Sequence, residues 1–152
     1  VVRSDLAKYE VKQMPEDYHF ELGKATVIRE GEDVTLIGSG IMVSRCKEAA
    51  EILRGRGISA EVINVSTIKP LDTETIIRSA SKTKHVVTAE NSTVIGGLGG
   101  AVAEVLSEEC PVKMRRIGIK DRFGHSGLID ELLEIYNLTT GDIVKKALEV
   151  LG

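Results

Sequence analysis

Val34-Thr35-Leu36-Ile37-Gly38-Ser39-Gly40 is the stretch on which the fold turns. Val34 to Ile37 is a short, nearly continuous apolar run, the pattern of a strand covered on both faces. It breaks into a Gly-Ser-Gly turn. Directly afterwards Met42, Val43, Cys46, Ala49, Ala50 and Leu53 recur at helical spacing, and Gly55 and Gly57 close the helix.

The same alternation continues outward in both directions. Upstream, Thr26-Val27-Ile28-Arg29 reads as a short strand stopped by Glu30-Gly31-Glu32-Asp33. Downstream, Ala60 to Val65 is a third strand, and Asp72 caps a helix carrying Ile76, Ile77 and Ala80 on one face. His85 to Ala89 is a fourth strand, ending at Glu90-Asn91. Gly96-Gly97-Leu98-Gly99-Gly100 leads into a helix with Leu98, Val102, Val105 and Leu106. Lys113 to Gly118 is a fifth strand. Two helices close the chain, one carrying Leu128, Ile129, Leu132, Leu133 and Tyr136. The other, capped near Thr139, carries Ile143, Val144, Ala147 and Leu148. Strands alternating with helices argue for right-handed crossovers and a mostly parallel sheet, hence a three-layer α/β/α sandwich. Pattern alone pairs the strands at 26–29 and 34–37 as a hairpin around Gly31. Residues 1–22 lack a sustained period and read as an interdomain linker or arm, with Val1-Val2-Arg3 like the tail of a strand. Residues 23–152 read as the domain itself.

The 152 residues suit one core. Twenty Lys plus Arg against 23 Asp plus Glu leave a net charge of −3, so no global field draws the chain to nucleic acid or an anionic membrane. Aromatics are 3%, which also argues against a base-stacking platform. No apolar run approaches a membrane span, and a soluble, cytoplasmic protein is the expectation. The chain begins at Val1 rather than methionine, which suggests processing or a piece of a longer protein. Cys46 falls on an apolar helical stripe and reads as an inert buried thiol.

Each chemical motif is offered incompletely. Gly38-Ser39-Gly40 stands where a dinucleotide pyrophosphate would sit, but the fingerprint needs glycine at position 43, which is Val43. It is either a tight turn or an anion site at a helix start. Gly96 and Gly97 open a glycine cluster without the Lys-Ser or Lys-Thr ending of a phosphate loop. Glu90 and Asn91, at the carboxyl end of a strand, are candidate site residues or else a cap. Gly124-His125-Ser126-Gly127 approaches a nucleophile elbow, but position 128 is leucine and the context is loop-then-helix. Lys120, Arg122 and His125, on the loop after the fifth strand, are candidates for binding an anion or a partner. The edge made by Gly38, Ser39, Gly40, Glu90, Asn91, Gly96, Gly97, Lys120, Arg122, Phe123, His125 and Ser126 is therefore the candidate site. No catalytic residue, cofactor ligand or metal ligand is assigned within this chain.

Taken in order, four stretches resemble the C-terminal domain of transketolase. They are Val34 to Gly40, Ile68-Lys69-Pro70-Leu71-Asp72, Glu90-Asn91 with Ile95 to Val102, and Arg122-Phe123-Gly124-His125-Ser126-Gly127. The last is the most discriminating. The glycine segment and the short linker look like the split form, with the catalytic regions on two polypeptides. The same domain occurs in deoxyxylulose-phosphate synthase and in the beta subunits of 2-oxo-acid dehydrogenases. The resemblance implies a sheet order 1-3-2-4-5 with strand 1 antiparallel at one edge, against the hairpin. It also implies transfer of a two-carbon ketol unit between sugar phosphates with thiamine diphosphate and a divalent metal. Those groups would be held by preceding domains, and this domain would support packing and a homodimer. The competing reading is a regulatory or docking module for a small anion or a partner protein.

Overall fold

The structure is a computed structural model and describes residues 18–152. Most of the expected arm, including Val1-Val2-Arg3, lies outside the described residues. Ten elements follow in order: β1 (Ala25–Arg29), β2 (Val34–Gly38), α1 (Met42–Arg54), β3 (Ala60–Val65), α2 (Thr73–Thr83), β4 (His85–Thr93), α3 (Leu98–Glu109), β5 (Lys113–Ile119), α4 (Ile129–Ile135) and α5 (Thr140–Leu151). The strands form one sheet in the order β1-β3-β2-β4-β5. All pairings are parallel except β1 with β3.

The hairpin suggested by pattern alone does not form, and the reason lies around Gly31. The connection from β1 to β2 runs over the start of β3 instead of turning back on itself. Glu32 and Asp33 donate their N–H groups to the Ser59 carbonyl at 3.1 and 2.8 Å, and the Asp33 carboxylate accepts the Ser59 N–H. A Cβ on Gly31 would collide with the backbone of Ala60 and Glu61. β3 is thereby inserted between the two strands that adjoin in sequence.

Helices α1, α4 and α5 cover one face of the sheet, where Leu36, Val62 and Val87 pack against Met42, Leu53, Leu133 and Ile143. Helices α2 and α3 cover the other, where Ile37, Ile63 and Val86 meet Ile76, Leu98 and Val102. The alternation of side chains along each central strand feeds both cores, which is why β2 and β3 are buried throughout. Cys46 is fully buried in the first of these cores. The buried polar groups under α2 are paired with one another. The Thr35 hydroxyl lies 2.8 Å from those of Ser79 and Thr83, and Glu61 accepts from Ser79 and Lys82.

Two caps fall where the sequence puts them. Asp72 accepts the N–H of Thr75 at 3.1 Å, and Thr139 accepts that of Asp142 at 3.2 Å. Asp72 also accepts the Ala25 N–H at 2.8 Å, tying the start of α2 to the start of β1. The fourth strand is longer than its apolar run. It continues past Glu90-Asn91 to Thr93, with its pairing to β5 shifting between Ala89 and Thr93. Among the described residues no helix is long and apolar enough to cross a membrane.

Candidate functional site at the carboxyl edge of the sheet

Because β2, β4 and β5 are parallel neighbours, the loops that follow them gather at one edge of the sheet. Backbone hydrogen bonds stitch these ends together. Ser39 N–H reaches the Ala89 carbonyl at 3.3 Å, and Val94 N–H reaches the Ile119 carbonyl at 3.0 Å. The candidate residues are thus gathered as the topology dictates, but they fall into three structurally different groups.

The first group is a turn. Gly40 has φ +54° and Ser39 accepts the N–H of Met42, so the chain reverses directly into α1. A Cβ on Gly38 would lie 3.0 Å from the Val43 Cα, which marks close packing of α1 against the end of β2.

The second group is a buried carboxylate beneath a glycine cluster. Glu90 is 1% exposed. Its oxygens accept the N–H of Leu98 at 3.0 Å, the N–H of Gly99 at 2.8 Å and the Ser92 hydroxyl at 2.8 Å. A Cβ on Gly97 would collide with that carboxylate, and one on Gly118 would lie 3.0 Å from its Cγ. The glycines therefore make room for a side chain of the same molecule. Glu90 takes the capping role that an anion would otherwise fill at the start of α3. Asn91 is exposed beside it.

The third group is the loop from Lys120 to Leu128. Tyr136, nearly buried, reaches out from the end of α4 to hold it. The phenol donates to the Phe123 carbonyl at 2.9 Å and accepts the His125 N–H at 2.8 Å. The His125 ring lies against the Tyr136 ring, centroids 6.0 Å apart. Phe123 itself is 97% exposed, and Leu128 and Ile95 are also turned to solvent. Ser126 is exposed on the loop. Beside this loop, Lys120 and Arg122 line a cavity of about 220 Å³ together with Tyr136, Asn137, Asp142, Lys145 and Lys146. The lysines of α5 in that wall escaped the sequence reading, because only the tertiary fold brings residue 145 beside residue 122. Among the described residues there is no group of three His, Cys, Asp or Glu placed to hold a metal ion.

An α/β/α sandwich with this strand order and this loop before its last two helices defines the class. The chain belongs to the transketolase C-terminal domain family, which matches residues 23–143. Among curated relatives, the 6-deoxy-6-sulfo-D-fructose transketolase subunit SqwH of Clostridium sp. (strain MSTE9) is 56% identical over 135 residues, covering 89% of this chain and 42% of the relative. The 1-deoxy-D-xylulose-5-phosphate synthase of Heliobacterium modesticaldum is 40% identical over 132 residues, 85% of this chain and 20% of the synthase. A solved structure described as a split gene transketolase, an inactive beta4 tetramer, superposes with a TM-score of 0.89 at 45% identity, over 93% of this chain and 46% of that one. The chain thus spans less than half the length of the proteins it matches.

Proposed function

We propose that this chain is the C-terminal part of a transketolase built from two polypeptides, which moves a two-carbon ketol unit between sugar phosphates. In this reading the domain is non-catalytic. It packs on the preceding thiamine-diphosphate-binding domains and supports their homodimer. The observation that carries the reading is the pairing of a family match over residues 23–143 with an exposed apolar trio, Ile95, Phe123 and Leu128, at the carboxyl edge. Large apolar side chains exposed on the two loops at this edge suit a contact with another domain. The 56% identity to a transketolase subunit, against 40% to a deoxyxylulose-phosphate synthase, favours the transketolase over the synthase.

Thiamine diphosphate and its divalent metal belong, in this reading, to the rest of the enzyme. The residues of this chain do not fit them. A diphosphate at the start of α3 would face the buried Glu90 carboxylate, and the N–H groups of Leu98 and Gly99 are already engaged. In this reading the chemical steps therefore belong to the preceding domains.

The test is reconstitution with the polypeptide that supplies the preceding domains. Phe123→Ala should weaken assembly, read by sedimentation, and lower activity in proportion, while the thermal midpoint of this chain stays unchanged. Unaltered assembly would overturn the packing role. Micromolar binding of thiamine diphosphate and magnesium to this chain alone, seen by calorimetry, would overturn its non-catalytic assignment.

A further inference from the structure

The cavity beside β5 has a composition that assembly does not call for. Its walls are the end of β5, the loop carrying Lys120 and Arg122, the α4–α5 connection at Tyr136 and Asn137, and the first turns of α5. On α5, Asp142, Lys145 and Lys146 stand three and four positions apart and so share one helical face. Four cations thus converge on a single cleft of a protein whose net charge is −3.

Few of these charges are answered from within. Lys146 pairs with Glu149 at 2.6 Å. Lys120 and Arg122 have no carboxylate within ion-pair distance among the described residues, and Lys145 acts on Glu149 only at longer range than Lys146 does. The one acid in the wall, Asp142, is committed elsewhere: a single oxygen takes both the Thr139 N–H at 3.0 Å and its hydroxyl at 2.6 Å. Arg116 contributes strand rather than charge, since its guanidinium donates to the Val94 carbonyl and its stem lies against Gly99 of α3 on the other face of the sheet. Asn137 adds a side-chain amide to the wall, and β5, as an edge strand, carries backbone groups that no neighbouring strand pairs. The 220 Å³ of space far exceeds the roughly 10–15 Å³ that one water needs.

We propose that this cleft binds the phosphate group of a small molecule, a dianionic phosphate monoester whose organic part occupies the remaining volume. Arg122 supplies a planar fork for two phosphate oxygens, and Lys120 and Lys145 supply point charges from the loop and the helix. The site adjoins the Phe123 loop through Arg122 and Tyr136 but uses neither the Glu90 carboxylate nor the apolar trio, and it stands whether or not the assembly role holds.

The test uses the 152-residue chain labelled with ¹⁵N, titrated with inorganic phosphate, with fructose 6-phosphate and with sodium chloride at matched ionic strength. Both phosphates should produce saturable shifts at Lys120, Arg122, Asn137 and Lys145. Tighter binding of the sugar phosphate identifies a monoester as the source, and equal binding identifies free phosphate. Arg122→Ala and Lys145→Ala should each weaken phosphate binding at least tenfold, while Lys113→Ala, at the far end of β5, leaves it unchanged. Shifts that follow ionic strength alone, or affinity indifferent to Arg122→Ala and Lys145→Ala, would overturn the assignment.

Discussion

The Glu90 carboxylate holds the first turn of α3, accepting the Gly99 N–H at 2.8 Å across nine positions of sequence. Helix starts leave N–H groups without partners, and here a buried side chain from the adjoining strand supplies them. Glu90→Ala leaves the N–H groups of Leu98 and Gly99 buried without an acceptor and should cost about 2–3 kcal/mol. Gly97→Ala forces a methyl group onto the same carboxylate and should cost about 1–3 kcal/mol. Urea denaturation of both variants measures this. A Glu90→Ala chain as stable as the parent would refute the cap.

Asp72 gives the acid limb of stability. Burial pushes its carboxyl up, but hydrogen bonds from the Ala25 N–H and from Thr75, with Lys24 nearby, outweigh this and hold it below the usual aspartate range. A carboxyl lowered by folding stabilises fully above the unfolded value, near pH 4, and loses that contribution as pH falls through the lower folded value. Asp72→Asn keeps a capping oxygen but not the charge, so it should lose about 1 kcal/mol at pH 7. The gap to the parent should narrow below about pH 4. A constant gap from pH 7 to pH 2, in denaturant titrations, would show that the charge contributes nothing.

The two cysteines should separate cleanly in reactivity. Cys46 is fully buried between α1 and the sheet, and desolvation pushes its thiol up to about 12. Cys110, partly exposed, sits 3.3 Å from the Ser81 hydroxyl. A thiol reagent at pH 8 should therefore modify one cysteine per native chain and two after unfolding in guanidinium. Rapid modification of Cys46 in the native chain would mean that the α1 core opens.

What the sequence made legible was whatever depends on neighbours in the chain. The Gly38-Ser39-Gly40 turn, the Asp72 and Thr139 caps and the α1 stripe rest on local geometry and stand where the pattern put them. Leu128, by contrast, precedes α4 and faces solvent, and Ile77 and Val105 fall outside the buried faces of α2 and α3. The partner of β1 was different. Local pattern favours a hairpin, and the contact that forbids it, Gly31 against Ala60 and Glu61, joins residues about thirty positions apart. Only the family resemblance carried that information. At the site, the glycines from Gly96 to Gly100 were visible as a place for close approach, but what approaches is Glu90, which periodicity cannot show. The same holds for Lys145 and Lys146. On the helix they look like solvated charges, and only the packing of α5 beside β5 puts them in the wall of the same cleft as Arg122.

Tyr136 offers the most direct test of how the loop bearing Phe123 is kept in shape. Its hydroxyl donates to the Phe123 carbonyl and accepts the His125 N–H, so one side chain fixes two backbone groups on an otherwise exposed segment. Tyr136→Phe keeps the ring and its packing and removes only those two bonds. Water can reach both freed groups, so the global cost should be modest, about 0.5–1.5 kcal/mol. The local cost should be larger. Amide exchange across residues 121–128 should accelerate at least tenfold, while the strands of the sheet keep their protection. If the loop serves assembly, the same variant should also weaken association with the preceding domains, because ordering Phe123 must then be done at the moment of contact. Unchanged exchange over 121–128 would show that the loop is held by something other than Tyr136.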